Sequence, residues 1–80
     1  MEFTPHIRIK EGDLARSDIS SVAEAIDFLA TWPPNRRGAF FYLASDSLQS
    51  AITGSIEPND ARRAFETFCR EAGILVDVNE

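Results

Sequence analysis

The sequence predicts an α+β fold in which a small two- or three-stranded sheet, built from both chain ends, packs against three helices. The segment 3–10 alternates apolar and polar residues with the period of two that marks a half-buried strand. The segment 74–78 is rich in β-branched residues, which favour a strand. Between these segments, three stretches carry apolar residues at helical spacing. The predicted order is strand, possible strand, helix, helix, helix, strand.

The first strand has the features of an edge strand. Pro5 lacks a backbone N–H and is therefore tolerated near a strand start or at a sheet edge. Residues 11–13, Glu-Gly-Asp, have the composition of a hairpin turn. If that hairpin forms, its return arm is expected over residues 14–17.

The first helix begins with a capping box. Ser21 and Glu24 have the S-x-x-E spacing in which two side chains satisfy free amides at a helix start. The helix is expected to stop at Pro33, and Trp32 is expected to pack beneath the turn that Pro33 and Pro34 form. Its predicted apolar stripe consists of Val22, Ala25, Ile26, Leu29 and Trp32.

Two further helices follow the turn over residues 34–38. The second is predicted from about residue 39 to 53, with Gly54 suited to the left-handed position after a helix. The third opens at residues 57–60, where proline and acidic residues suit a first turn, and stops before Gly73. The predicted buried faces are Phe40, Phe41, Ala44, Leu48, Ala51 and Ile52 on the second helix, and Ala61, Ala64, Phe65, Phe68, Cys69 and Ala72 on the third.

Composition places the chain among single, soluble globular domains. It has 80 residues, 44% hydrophobic and 26% charged, which is close to the globular average. Eight basic against 13 acidic residues give a net charge of −5, which opposes binding to nucleic acid or anionic membranes. The chain is also short enough that a partner chain is a common source of extra stability.

The cysteine count and the N-terminal residues indicate the cellular compartment of the protein. A single cysteine, Cys69, excludes an internal disulfide and a cysteine-rich zinc module. The N-terminus has no basic segment followed by an apolar one, and the longest apolar run, 39–44, is far shorter than a membrane span. A cytoplasmic location without membrane contact is therefore expected.

The residue types needed for catalysis do not form a recognisable set. His6 and Cys69 are each single, and Cys69 lies on the apolar face of the third helix, where a cysteine behaves as a small hydrophobe. There is no G-x-S-x-G turn, no metal-ligand spacing and no glycine-rich phosphate loop. We therefore expect no enzymatic activity, catalytic residue, cofactor or metal.

Arginines supply an alternative hypothesis, because seven of the eight basic residues are arginine. Those on the third helix alternate with acidic residues, which is more typical of a solvated helix face than of a phosphate-binding stripe. A nucleic-acid-associated regulator that uses Arg62, Arg63 and Arg36 is therefore disfavoured, but it is kept as the alternative. The full candidate set is Arg36, Arg37, Arg62, Arg63 and Arg70.

Four apolar residues lie outside the predicted stripes, namely Phe28, Tyr42, Leu43 and Leu75. Single exposed apolar residues are ordinary, but four on a short chain with an uncovered sheet edge favour an association surface. These four are the predicted interface residues, and the expected partner is a second copy of the chain or another protein.

Most of the chain also resembles a known family. The matching features are the Trp32-Pro33 pair, the Ala-Arg-x-Ala-Phe run at 61–65 and Glu-Ala-Gly at 71–73. With them, the chain resembles the domain-of-unknown-function family numbered 982, which consists of short bacterial proteins. The resemblance implies a bacterial source and supplies no reaction, ligand or catalytic residue. The resulting hypothesis is a non-enzymatic, intracellular protein-interaction or accessory module that forms a homodimer.

Overall fold

A computed structural model describes residues 2–10 and 15–76 of the chain and shows the α+β fold that the sequence predicts. A β-hairpin precedes three α-helices, and a short 3-10 turn, Pro34–Arg36, separates the first two helices. The elements are β1 (Glu2–Lys10), β2 (Arg16–Ser21), α1 (Val22–Ala30), α2 (Ala39–Ile52) and α3 (Pro58–Glu71).

The hairpin pairs β1 and β2 in antiparallel register. Ile7 lies opposite Ile19, and the pairing shifts between Glu2 and Ile7. Pro5 lies within that irregular stretch, where its missing N–H breaks no ladder bond. The predicted return arm over 14–17 was placed too early: β2 runs from Arg16 directly to the helix cap, and residues 11–14 lie outside the described residues.

The C-terminal segment adds a third strand position beside β1. Ile9 bridges to Leu75 in antiparallel orientation, and the Lys10 and Val76 amides donate to the carbonyls of Ile74 and Arg8. The prediction that β1 is an edge strand is therefore wrong over residues 8–10, where β1 is paired on both sides. Pro5 is compatible with this position because it lies in the irregular stretch. Residues 77 and 78 of the predicted strand lie outside the described residues.

Helix α1 starts at the capping box. The Ser21 hydroxyl accepts the Glu24 amide at 3.2 Å, as the S-x-x-E pattern predicts. The Glu24 carboxylate accepts the Ser20 amide at 2.7 Å and the Ser20 hydroxyl, so it reaches one residue further back than the standard box. These bonds from Ser20 hold the pKa of Glu24 below its usual value.

This geometry predicts a pH-dependent contribution to stability from Glu24. A folded-state pKa below the unfolded one means that the stabilisation is present above the unfolded pKa and is lost as pH falls through the folded pKa. We expect Glu24→Gln to lower the thermal midpoint at pH 7, and the difference from wild type to shrink by about pH 3. Asp27→Asn, an exposed site on the same helix, is the control. A Glu24→Gln deficit that is the same at both pH values would contradict the assignment.

The helices cover one face of the sheet. Helix α3 packs on β1 and α1 on β2, whereas α2 packs chiefly on α3 and more lightly on α1. This arrangement buries a single apolar core. Its members are Phe3, Ile7, Ile9, Ile19, Val22, Ala25, Leu29, Phe41, Ala44, Leu48, Ala51, Ala61, Phe65, Phe68 and Cys69. Within residues 2–10 and 15–76, no helix has the length and apolar character needed to cross a membrane.

Candidate interaction surface

The N-terminal end of α2 presents three large apolar side chains to solvent. Phe40 is 43% exposed, Tyr42 55% and Leu43 53%. They lie within little more than one helical turn, and we call these three residues the α2 patch. Phe40 and Tyr42 are two positions apart and point to different sides of the helix, and Leu43 lies between them on its outer side. Exposed apolar residues grouped along one side of a helix favour a surface that contacts another molecule.

The exposure follows from the position of α2 at the outside of the helical layer. Phe41, Ala44, Leu48 and Ala51 form its buried face. The predicted stripe was wider than this face, because Phe40 and Ile52 flank it on opposite sides and the neighbouring helices do not reach around to cover them. Both residues were predicted to be buried, and both are exposed, Ile52 by 47%.

A cavity of about 290 Å³ opens beside the patch. Aromatic rings of Trp32, Phe41 and Phe68 line it together with Phe40, which belongs to both the cavity and the patch. Arg36 and Glu71, one residue of each charge, also line it. The patch therefore continues into a concave, mostly aromatic site, which is the shape that receives an anchoring side chain in protein interfaces.

Trp32 holds this end of the molecule together, and its indole packs against the turn that follows α1. The Nε1 group donates to the Arg36 carbonyl at 3.2 Å, and the Arg36 guanidinium lies 5.1 Å from the ring centre. The ring meets Phe68 edge-on, with 5.2 Å between centroids. Arg37 donates from Nη2 to the Trp32 carbonyl at 3.0 Å and lies over the Phe41 ring.

Of the four predicted interface residues, Tyr42 and Leu43 are exposed, while Phe28 and Leu75 pack against the core. The prediction that Phe28 and Leu75 lie outside the core is wrong. Phe28 meets the buried Phe65 edge-on at 6.1 Å, and Leu75 is carried onto the core side of the sheet by its bridge to Ile9. Both contacts are long-range, so the periodicity of one element could not reveal them.

The five candidate arginines are spread over different surfaces. Arg36 and Arg37 pack on aromatic rings beside the α2 patch. Arg63 faces Asp60 at 3.4 Å in a cleft that also contains Glu2 and Glu57. Only Arg62 and Arg70 share one cleft. The arginines therefore do not make a continuous basic face of the kind that tracks phosphates.

That shared cleft is a groove between β1 and α3, with a volume of about 740 Å³. It is lined by residues of β1 and α3 and by the segment after α3, and the sequence analysis did not predict it. The signal for it was the spacing of Arg62, Glu66 and Arg70 at four-residue intervals on α3, which places all three on one side of the helix.

The groups considered for catalysis are not brought together. Cys69 is fully buried, and burial raises the pKa of its thiol to about 12, so a thiolate does not form near neutral pH. His6 is exposed. In the part of the chain that the structure describes, no group of three or more His, Cys, Asp or Glu residues is arranged to hold a metal ion.

Comparison with known proteins supplies the family. The family model described as a protein of unknown function (DUF982) matches residues 6–76. The chain belongs to this family. In this DUF982 member, the matched region begins within β1 and ends after α3, in the segment where Leu75 pairs with β1. It therefore includes both the α2 patch and the groove. Comparisons with curated proteins and with solved structures gave no match.

Proposed function

We propose that this protein is a non-enzymatic protein-interaction or accessory module that acts in the cytoplasm of a bacterium and forms a homodimer through the α2 patch. The observation that carries the proposal is the half-exposure of Phe40, Tyr42 and Leu43 within four positions of one helix. Aromatic side chains are enriched at protein interfaces because they bury a large area at modest entropy cost.

The charge distribution favours a second copy as the partner. The chain carries a net charge of −5, so two copies repel each other over most of their surfaces. Helix α2 is the exception, because Asp46 is the one charged residue among its 14. Two copies that meet through α2 therefore bring few like charges together, and a two-fold axis lets the same patch serve on both sides.

The size of the patch predicts a weak dimer. Each of its side chains leaves roughly 100 Å² exposed, which is worth about 2.5 kcal/mol when buried. The three together offer roughly 300 Å² per copy, against about 800 Å² per partner in a stable interface of standard size. Association is therefore expected at high micromolar to millimolar concentration.

Light scattering across that concentration range tests the proposal. The wild-type mass is expected to rise toward twice 8.9 kDa, and Leu43→Glu is expected to keep the chain monomeric, because each dimer would bury two new charges. Ile52→Glu is the matched control, because Ile52 is similarly exposed on the same helix but outside the patch. A wild type that stays monomeric at millimolar concentration would rule out the homodimer, as would equal effects of the two substitutions.

A further inference from the structure

We propose that the two copies of the homodimer pair their α2 helices in antiparallel orientation, with Asp46 of each copy in an ion pair with the partner's Arg36. The two-fold axis passes between Phe40 and Leu43 of the α2 patch. The orientation rests on the proposed homodimer, and it makes Asp46 the residue that selects between the two ways in which the helices can meet.

The outer side of α2 carries apolar and charged residues along one line. Asp46 follows Leu43 by three positions, so the two exposed side chains lie on the same side of the helix, about one turn apart. The opposite side packs on α3 and α1 rather than on the sheet. The described parts of the chain end in or beside the sheet, at Lys10, Ala15 and Val76. The outer side of α2 therefore faces away from the layer to which the rest of the chain is joined.

Opposite charges lie at the two ends of this surface. Arg36 is exposed in the turn before α2, and Asp46 is exposed beyond the α2 patch. Among the described residues, neither of them forms an ion pair. The first turn of α2 holds no acidic residue, and its N-cap, Gly38, supplies no side-chain hydrogen bond. The surface is therefore positive where α2 begins and negative around Asp46.

Antiparallel pairing brings these opposite charges together. With the axis midway between Phe40 and Leu43, position 43 of one helix lies opposite position 40 of the other, and position 46 lies opposite position 37. Leu43 then packs on the partner's Phe40 at the mouth of the aromatic cavity, and symmetry repeats the contact. Asp46 falls level with the turn that carries the partner's Arg36. The apolar contact and the ion pair thus form in one arrangement.

Parallel pairing sets the same charges against each other. A two-fold axis along the helices places each residue level with its own copy, so the two Asp46 carboxylates would face each other on the outer side of α2. Like charges that meet in this way oppose association. The helix dipoles would also point the same way, with both positive ends together. The charges of this surface therefore favour the antiparallel pair.

The first test is the dimer dissociation constant of Asp46→Asn, measured by sedimentation equilibrium. We expect it to rise about three- to tenfold, because each dimer loses two exposed ion pairs. A parallel dimer predicts a fall instead, since two facing carboxylates would be removed. Asp27→Asn is the matched control, because it removes one negative charge from an exposed site on α1. It should leave the dissociation constant unchanged or slightly lower.

A double-mutant cycle identifies the partner of Asp46. In an Arg36→Gln background, Asp46→Asn is expected to cause no further weakening. A full three- to tenfold loss in that background would overturn the pairing with Arg36. An Asp46→Asn dimer that is as tight as wild type, or tighter, would overturn the proposal as a whole.

The second test reports the orientation through paramagnetic broadening between chains. A nitroxide is attached to Gln49→Cys in an unlabelled chain, which is mixed at millimolar concentration with ¹⁵N-labelled wild type. Cys69 is fully buried, so the introduced thiol is the one expected to react. We expect broadening of the Arg36 and Arg37 amides, with the Thr53 amide unaffected. Broadening of the Thr53 amide instead would establish a parallel dimer and overturn the proposal.

These tests separate the orientation from the homodimer itself. A wild type that stays monomeric in light scattering removes both, and no amide would then be broadened by the label on the other chain. A dimer that Leu43→Glu disrupts, but that Asp46→Asn strengthens or in which Thr53 is broadened, keeps the homodimer and overturns only the antiparallel pairing.

Discussion

Replacing Phe65 with alanine is expected to remove a large part of the protein's free energy of unfolding. Phe65 is fully buried at the centre of the core, where it meets Phe3, Phe28 and Phe68 with ring centroids 6.1–6.2 Å apart. Its truncation removes contacts with β1, with α1 and within α3 at once. Such a change typically costs about 3–5 kcal/mol, because the cavity does not close.

That cost is large for a chain of this size. An 80-residue domain has a free energy of unfolding of about 4–12 kcal/mol on per-residue scaling. Urea unfolding followed by circular dichroism should place the Phe65→Ala midpoint far below that of wild type. Phe40→Ala is the matched control, because it removes the same ring from an exposed site and should cost less than about 1 kcal/mol. Equal midpoints for the two variants would contradict the burial that distinguishes them.

The second large effect is expected from Trp32→Ala, with a loss of about 2–4 kcal/mol. Trp32 is half-buried, so less area is lost than at Phe65, but it joins three parts of the molecule. Its ring packs edge-on against Phe68 of α3, and its Nε1 group closes the turn through the Arg36 carbonyl. The Arg36 guanidinium over the ring adds a cation–π contact.

Trp32→Phe separates the packing of the ring from its hydrogen bond. It keeps an aromatic ring against Phe68 and loses the Nε1 donor, so we expect about 1 kcal/mol of destabilisation, well short of the alanine variant. Chemical denaturation of the wild type, Trp32→Ala and Trp32→Phe gives the three free energies of unfolding to compare. Should Trp32→Ala leave the unfolding midpoint unchanged, the ring would contribute nothing to the fold, and the cavity it lines would become a candidate ligand site.

Local signals account for most of the secondary structure. The S-x-x-E pattern predicted the start of α1, because Ser21 and Glu24 act on amides only a few residues away. Gly54 and Gly73 both have positive φ, as expected for residues that follow a helix. The boundaries of α2 and α3 agree with the predicted ones to within a residue or two. These interactions join residues only a few positions apart, so periodicity and capping rules can predict them from the sequence.

The candidate sites were predicted less completely, because they depend on how far each helix is covered. Phe28 and Phe40 both lie at the margin of an apolar stripe. Phe28 is partly buried because it packs against Phe65 of α3, whereas Phe40 stays exposed. Tyr42 and Leu43 were predicted correctly to lie outside the core. They are on the side of α2 opposite its buried face, so they stay exposed when that face packs against the neighbouring helices.

The sequence by itself determined the type and order of the elements, the family and the exposure of Tyr42 and Leu43. Tertiary structure decided that β1 pairs on both sides over residues 8–10, that Leu75 joins the core and that Arg62 reaches the Pro5 carbonyl 57 positions earlier in the chain. The reason is physical: a helix or strand signal depends on residues within a few positions, whereas pairing and coverage depend on which distant elements meet.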